Sequence, residues 1–106
     1  MNLKDYLIET KPDNPEKVMW TKKDAITFIR KHNQLWKRAG YKPKIVGSVA
    51  RQGWSYKDLD IELHPTTDDY DFELIMNTFP GDFTYNMETY EGKWKGKLVD
   101  FLFFED

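Results

Sequence analysis

The sequence predicts an α/β (α+β) domain in which a small mixed β-sheet packs against helices. Three observations carry that prediction. Residues 57–64, "KDLDIELH", alternate polar and apolar with a period of two, as a half-buried strand does. Ala25, Phe28, Ile29, His32 and Trp36 recur at three- and four-residue spacing, as on one face of an amphipathic helix. Near the C-terminus, "KLVDFLFF" is an apolar run of strand length broken by a single acid, the pattern of a strand buried on both faces.

Taken in order, the chain opens with a short helix whose apolar side is Leu3, Tyr6 and Leu7. "TKPDNPEK" ends it, because each proline removes a donor and disfavours helix just before it. Thr21 followed by Asp24 reads as a capping pair, with Trp20 set to staple against Ala25. The helix they start runs over about residues 22–39 and stops at Gly40. "YKPKIVG" is a short strand ending at Gly47, and the alternating strand follows it. Asp68 or Asp69 caps a second helix carrying Tyr70, Leu74, Ile75 and Phe79, which Pro80-Gly81 stops. Two strands, roughly 83–90 and 97–104, close the chain as a hairpin joined through "EGKWKG".

Length and composition bound the function. A chain of 106 residues is one domain, 1–106. Hydrophobic residues make up 40% and aromatics 16%, which is globular rather than disordered. With no cysteine there is no disulfide framework, thiolate zinc site or thiol nucleophile, and a reducing interior is a suitable setting. No signal-like or membrane-spanning apolar stretch is visible, so the sequence reads as soluble and cytoplasmic, without a membrane partner. A net charge of −2 excludes a generic polyanion binder, so any nucleotide contact must come from a local patch or through a metal ion.

The chemistry concentrates in "VGSVARQGWSYKDLDIEL", residues 46–63. In a strand, Asp58, Asp60 and Glu62 share one face with neighbouring Cα atoms about 6.5–7 Å apart. Like charges along one face repel unless something cationic relieves them. The spacing suits carboxylates that reach two divalent ions about 3.5–4 Å apart, the arrangement of two-metal phosphoryl chemistry. Asp100 is costly in its apolar strand unless protonated, paired or metal-bound. If that strand lies beside residues 58–63, three oxygen ligands converge in a set suited to magnesium or manganese. Gly47 permits a sharp turn after a strand, and the Ser48 and Val49 amides with the serine hydroxyl can then face an anion.

These residues together resemble the DNA polymerase beta-type nucleotidyltransferase superfamily, most closely its minimal nucleotidyltransferase branch. Gly47-Ser48, Ala50-Arg51, nine residues from Ser48 to Asp58, Asp-Leu-Asp and a later strand aspartate carry the likeness. It covers a catalytic core of 45–104 and leaves residues 1–20 as an N-terminal extension. The resemblance implies a palm-like nucleotidyltransferase fold, Mg²⁺ or Mn²⁺ as cofactor, and ATP or another NTP as substrate. It implies that Asp58, Asp60 and Asp100 hold the metals, with Asp100 helping to deprotonate the attacking hydroxyl. Gly47 and Ser48 would cradle the triphosphate, and Arg51 would touch phosphate. The reaction implied is transfer of a nucleoside monophosphate to an acceptor hydroxyl with release of pyrophosphate.

The chain departs from that pattern in three ways. Lys57 stands where the family often has Ser or Thr, and either meets phosphate or reaches solvent. Glu62 stands where an apolar residue is common, and is read as solvent-facing. No helical extension follows the third acid, so the acceptor, a protein partner or RNA, is left open, as is a homodimer or hetero-complex. The alternatives are an antitoxin-like module that binds or modifies a separate helical protein, and a degenerate nucleotide-binding member. Elsewhere, Lys93, Lys95 and Lys97 project to one side of the hairpin and Trp94 to the other, a phosphate contact or a solvated hairpin. Trp54 and Tyr56 either stack a nucleobase or cover the sheet edge. His32 reads as a core-edge histidine, and His64 lies nearer the acids.

Overall fold

The computed structural model describes residues 10–83 and 89–105, and it is a mixed α/β fold with a five-stranded sheet and four helices among those residues. The expected helix at Leu3, Tyr6 and Leu7 lies outside the described residues, as does part of the expected strand 83–90. No described helix is long and apolar enough to cross a membrane.

After a 3₁₀ turn at Pro15–Lys17, the two-residue strand β1 (Trp20–Thr21) leads into α1 (Lys22–Lys31). Thr21 Oγ1 accepts from the Asp24 amide at 3.1 Å, the expected cap. The single helix expected over 22–39 is broken at His32, and α2 (Asn33–Ala39) continues beyond it to Gly40. His32 Nδ1 lies 2.8 Å from the Phe28 carbonyl oxygen, where the side chain competes with the backbone ladder. β2 (Tyr41–Val46) and the short α3 (Gly47–Gln52) follow, then β3 (Trp54–Ser55), which pairs with β1.

β4 (Asp58–Pro65) buries Leu59, Ile61 and Leu63 and leaves Asp58, Asp60 and Glu62 half-exposed, as the alternation requires. α4 (Phe72–Thr78) is shorter than expected, because its cap is Asp71, whose Oδ1 accepts from the Glu73 amide. The Asp71 amide is tied to the Ala39 carbonyl, which keeps Tyr70 outside the helix, against Tyr41. β5 (Gly81–Phe83), β6 (Thr89–Trp94) and β7 (Lys97–Phe103) complete the sheet. Most of "EGKWKG" is therefore strand, and only Lys95-Gly96 turns, with φ of 52° and 78°. Two positive φ values match a type I′ hairpin turn.

The sheet order is β2-β4-β7-β6-β5, and every neighbouring pair is antiparallel except the parallel pair β4–β7. One face packs against the helices through Phe28, Trp36, Ile75 and Phe79, which meet Leu59, Ile61, Tyr90, Val99 and Phe101 in one core. Phe79 lies 5.2 Å and Trp36 5.9 Å from Phe101, ring centre to ring centre. β7 corrects one expectation: it is not buried on both faces. Val99 and Phe101 are buried, while Leu98, Asp100 and Leu102 are half-exposed on the other side. Asp100 thus avoids the cost of a fully apolar setting.

Candidate metal centre

The parallel pairing supplies the alignment that sequence could state only as a condition. Asp58 aligns with Leu98, Asp60 with Asp100 and Glu62 with Leu102. Parallel strands keep side chains of matched parity on one face, so Asp58, Asp60 and Asp100 converge. One carboxylate oxygen from each lies within 4.8 Å of the others. All three residues are half-exposed, which leaves room for further oxygen ligands.

Gly47 closes the site from the side. It adopts φ of 70°, and a Cβ built on it would fall 2.0 Å from Asp60 Oδ2. Two independent demands therefore favour glycine here, the left-handed backbone and the close approach of the carboxylate. Ser48 follows in the first turn of α3, and its Oγ accepts from Arg51 Nη2 at 3.3 Å. Among the described residues no side chain caps the α3 N-terminus, which leaves its first amides without a side-chain partner. α3 has only six residues, so those amides and the Ser48 hydroxyl matter more than any helix dipole.

The electrostatics are those of crowded carboxylates. Burial first, then Asp58 and Asp100, push the Asp60 carboxyl up to about 6, against Arg51 and Lys57. Burial, then Asp58 and Glu91, push Asp100 up, with Lys57 opposing. Lys57 is exposed, yet its charge bears on both acids. The oxygen-only donor set, the spacing and the repulsion that Arg51 and Lys57 offset only in part fit a hard divalent cation. Such an ion would favour the charged form of Asp60, so its binding weakens as pH falls through about 6. Mn²⁺ added at pH 7.5 is expected to raise the thermal midpoint by several degrees, and much less at pH 5. Equal rises at both pH values would count against Asp60 as a ligand.

Glu62 stands apart from the three acids. Its Oε1 lies 2.9 Å from His64 Nε2, and the His64 ring stacks on Phe104 at 4.4 Å. Glu91 is the residue that sequence reasoning missed: it is the cross-strand partner of Asp100. Fixing the hairpin turn at Lys95-Gly96 would have revealed it, because that turn sets Trp94 opposite Lys97 and hence Glu91 opposite Asp100. Trp54 and Tyr56 are tied to the segment before β1: Trp54 Nε1 donates to Thr10 Oγ1 at 2.9 Å, and the Tyr56 hydroxyl accepts from the Asn14 amide at 3.0 Å.

The hairpin also departs from expectation. Lys97 does not lie beside Lys93, but reaches over the Trp20 ring on the helix side and pairs with Asp24 at 3.4 Å. Trp94 packs on that same side, against Phe28 and His32. Comparison of the chain with protein-family models, with curated proteins and with solved structures finds no match.

Proposed function

We propose that this chain is a metal-dependent nucleotidyltransferase of the polymerase beta type, in its minimal branch. The observation that carries the reading is the convergence of Asp58, Asp60 and Asp100 within 4.8 Å, with the Gly47-Ser48 turn against Asp60. A carboxylate trio beside an open turn of amides matches what transfer from a nucleoside triphosphate needs. One part holds cations, and the other holds the phosphate oxygens that those cations neutralise.

Asp58, Asp60 and Asp100 would hold Mg²⁺ or Mn²⁺, which when bound supplies charge stabilisation at phosphorus and orients the attacking and leaving oxygens. Ser48 Oγ and the Ser48 and Val49 amides donate to the triphosphate. Arg51, already hydrogen-bonded to Ser48, adds a cation at the same point. The acceptor hydroxyl attacks the α-phosphorus and loses its proton toward Asp100. The bond to the β-phosphate oxygen breaks, and pyrophosphate leaves. No covalent enzyme intermediate is needed.

Incubation with α-labelled ATP, GTP, CTP or UTP, Mn²⁺, and protein or RNA acceptors tests the reading. Label is expected on one acceptor class with the native chain and on none with Asp58→Ala or Asp60→Ala. Transfer that persists in both variants would sink the assignment.

A further inference from the structure

The tip of the β6–β7 hairpin carries two cations that no carboxylate among the described residues balances. Lys31, in the last turn of α1, sets its Nζ 5.6 Å from the centre of the Trp94 ring. Lys95, in the turn itself, sets its Nζ 4.8 Å from the same ring. Each cation gains from the aromatic face, by about 0.5–1 kcal/mol at an exposed position. Two ammonium groups on one ring also repel, and Lys31 is the first cause that lowers the Lys95 ammonium below its ordinary value. Among the described residues neither lysine pairs with a carboxylate, whereas neighbouring Lys97 pairs with Asp24. His32, against the same ring, is driven toward its neutral form, chiefly by burial, so it does not relieve or add to the charge.

Strand geometry extends the patch. Trp94 lies on the helix side of the sheet, so Lys93, one residue earlier, faces the other side and is exposed. Lys93 pairs with Leu98, and Leu98 with Asp58, so Lys93 stands in the cross-strand row of the first acid. Cations therefore run around the hairpin tip from Trp94 to the carboxylate face.

We propose that Lys31, Lys95 and Lys93 bind the backbone of a single-stranded nucleic acid, with one phosphate bridging Lys31 and Lys95 over Trp94. A phosphate oxygen pair can accept from both ammonium groups at once and removes their repulsion. A flexible single strand can follow a track that bends around a two-residue turn, and a stiff duplex cannot. As a binding site the patch stands alone; as a track that delivers an acceptor to Asp58, it rests on the nucleotidyl-transfer reading.

Binding of a fluorescein-labelled oligouridylate to the full chain, in EDTA and without nucleotide, tests the site apart from the chemistry. Lys31→Gln/Lys95→Gln is compared with Lys42→Gln/Lys44→Gln, which removes equal charge from exposed positions on β2. The first double variant is expected to weaken binding roughly tenfold and to flatten the dependence of log K on log salt by about 0.7, the loss of the one bridged phosphate. The second is expected to match the native chain. Circular dichroism and thermal melts establish that both variants fold. Equal losses in the two doubles, an unchanged slope in the first, or native binding to inorganic polyphosphate but not to the oligonucleotide would each overturn the proposal.

Discussion

Asp60→Asn is expected to yield a chain that is more stable without metal at neutral pH and slower in nucleotide transfer by on the order of 10³-fold. Both effects have one cause. The native Asp60 carboxyl is pushed up to about 6, first by burial and then by Asp58 and Asp100. An acid whose folded value is raised contributes its full stability below its unfolded value, and loses that contribution as pH rises through about 6. At pH 7.5 the ion-free fold therefore bears the repulsion. With allowance for the water that reaches this half-exposed group, the cost is roughly 1–2 kcal/mol. Asparagine keeps the shape and removes the charge, so the ion-free thermal midpoint should rise by several degrees. On the proposed reading it also removes one of the three metal ligands, so metal affinity and turnover are expected to fall together. Melts at pH 5 and pH 7.5, with and without Mn²⁺, read both effects. A lower midpoint at pH 7.5 without metal would show that Asp60 is held by favourable contacts instead.

Gly47→Ala is expected to lose function by the opposite thermodynamic route. The left-handed backbone at φ of 70° costs a residue with a side chain about 1–2 kcal/mol. The new methyl group would also sit on the Asp60 carboxylate, whose Oδ2 is 2.0 Å from the Cβ position. Either the turn opens or Asp60 swings away from Asp58 and Asp100. The ion-free midpoint should fall by several degrees, the Mn²⁺-induced rise should shrink to near zero, and transfer should drop by roughly 10²-fold. A variant that melts lower yet keeps the full Mn²⁺ response would separate the turn from the metal centre. Gly47→Ala and Asp60→Asn thus share one loss and differ in the sign of another, which generic misfolding does not reproduce.

What the sequence revealed follows from the range of each interaction. The two-residue alternation in 58–63 is local and strong, and β4 matches it residue by residue. The Thr21 cap and the Gly40 stop are equally local, and both hold. The break at His32 was not legible, because it arises from one ring bonding to the Phe28 carbonyl while packed against aromatics from other elements. α4 starts later than the Asp68 or Asp69 cap that the sequence suggests, since the Asp71 amide bonds to the carbonyl of distant Ala39. The apolar look of "KLVDFLFF" suggested burial on both faces, yet Leu98 and Leu102 flank Asp100 on a half-exposed face. Glu91 was hidden for a similar reason: its relation to Asp100 is a matter of register, which a turn sets and composition does not.

The parallel seam between β4 and β7 has a consequence for the order of events in the life of the chain. Asp58 and Asp60 lie some forty positions before Asp100, and among the described residues the strand that carries Asp100 joins the β2-β4 pair to the β6-β5 pair. During synthesis the first two acids emerge without their partner, and the two halves of the sheet stay apart until β7 is available. Closure across so long a separation is entropically slow compared with hairpin formation. The cluster of Asp58, Asp60 and Asp100 is therefore assembled in the same event that joins the halves. A chain arrested or clipped before β7 would present Asp58 and Asp60 without Asp100, and the three carboxylates would not be brought together.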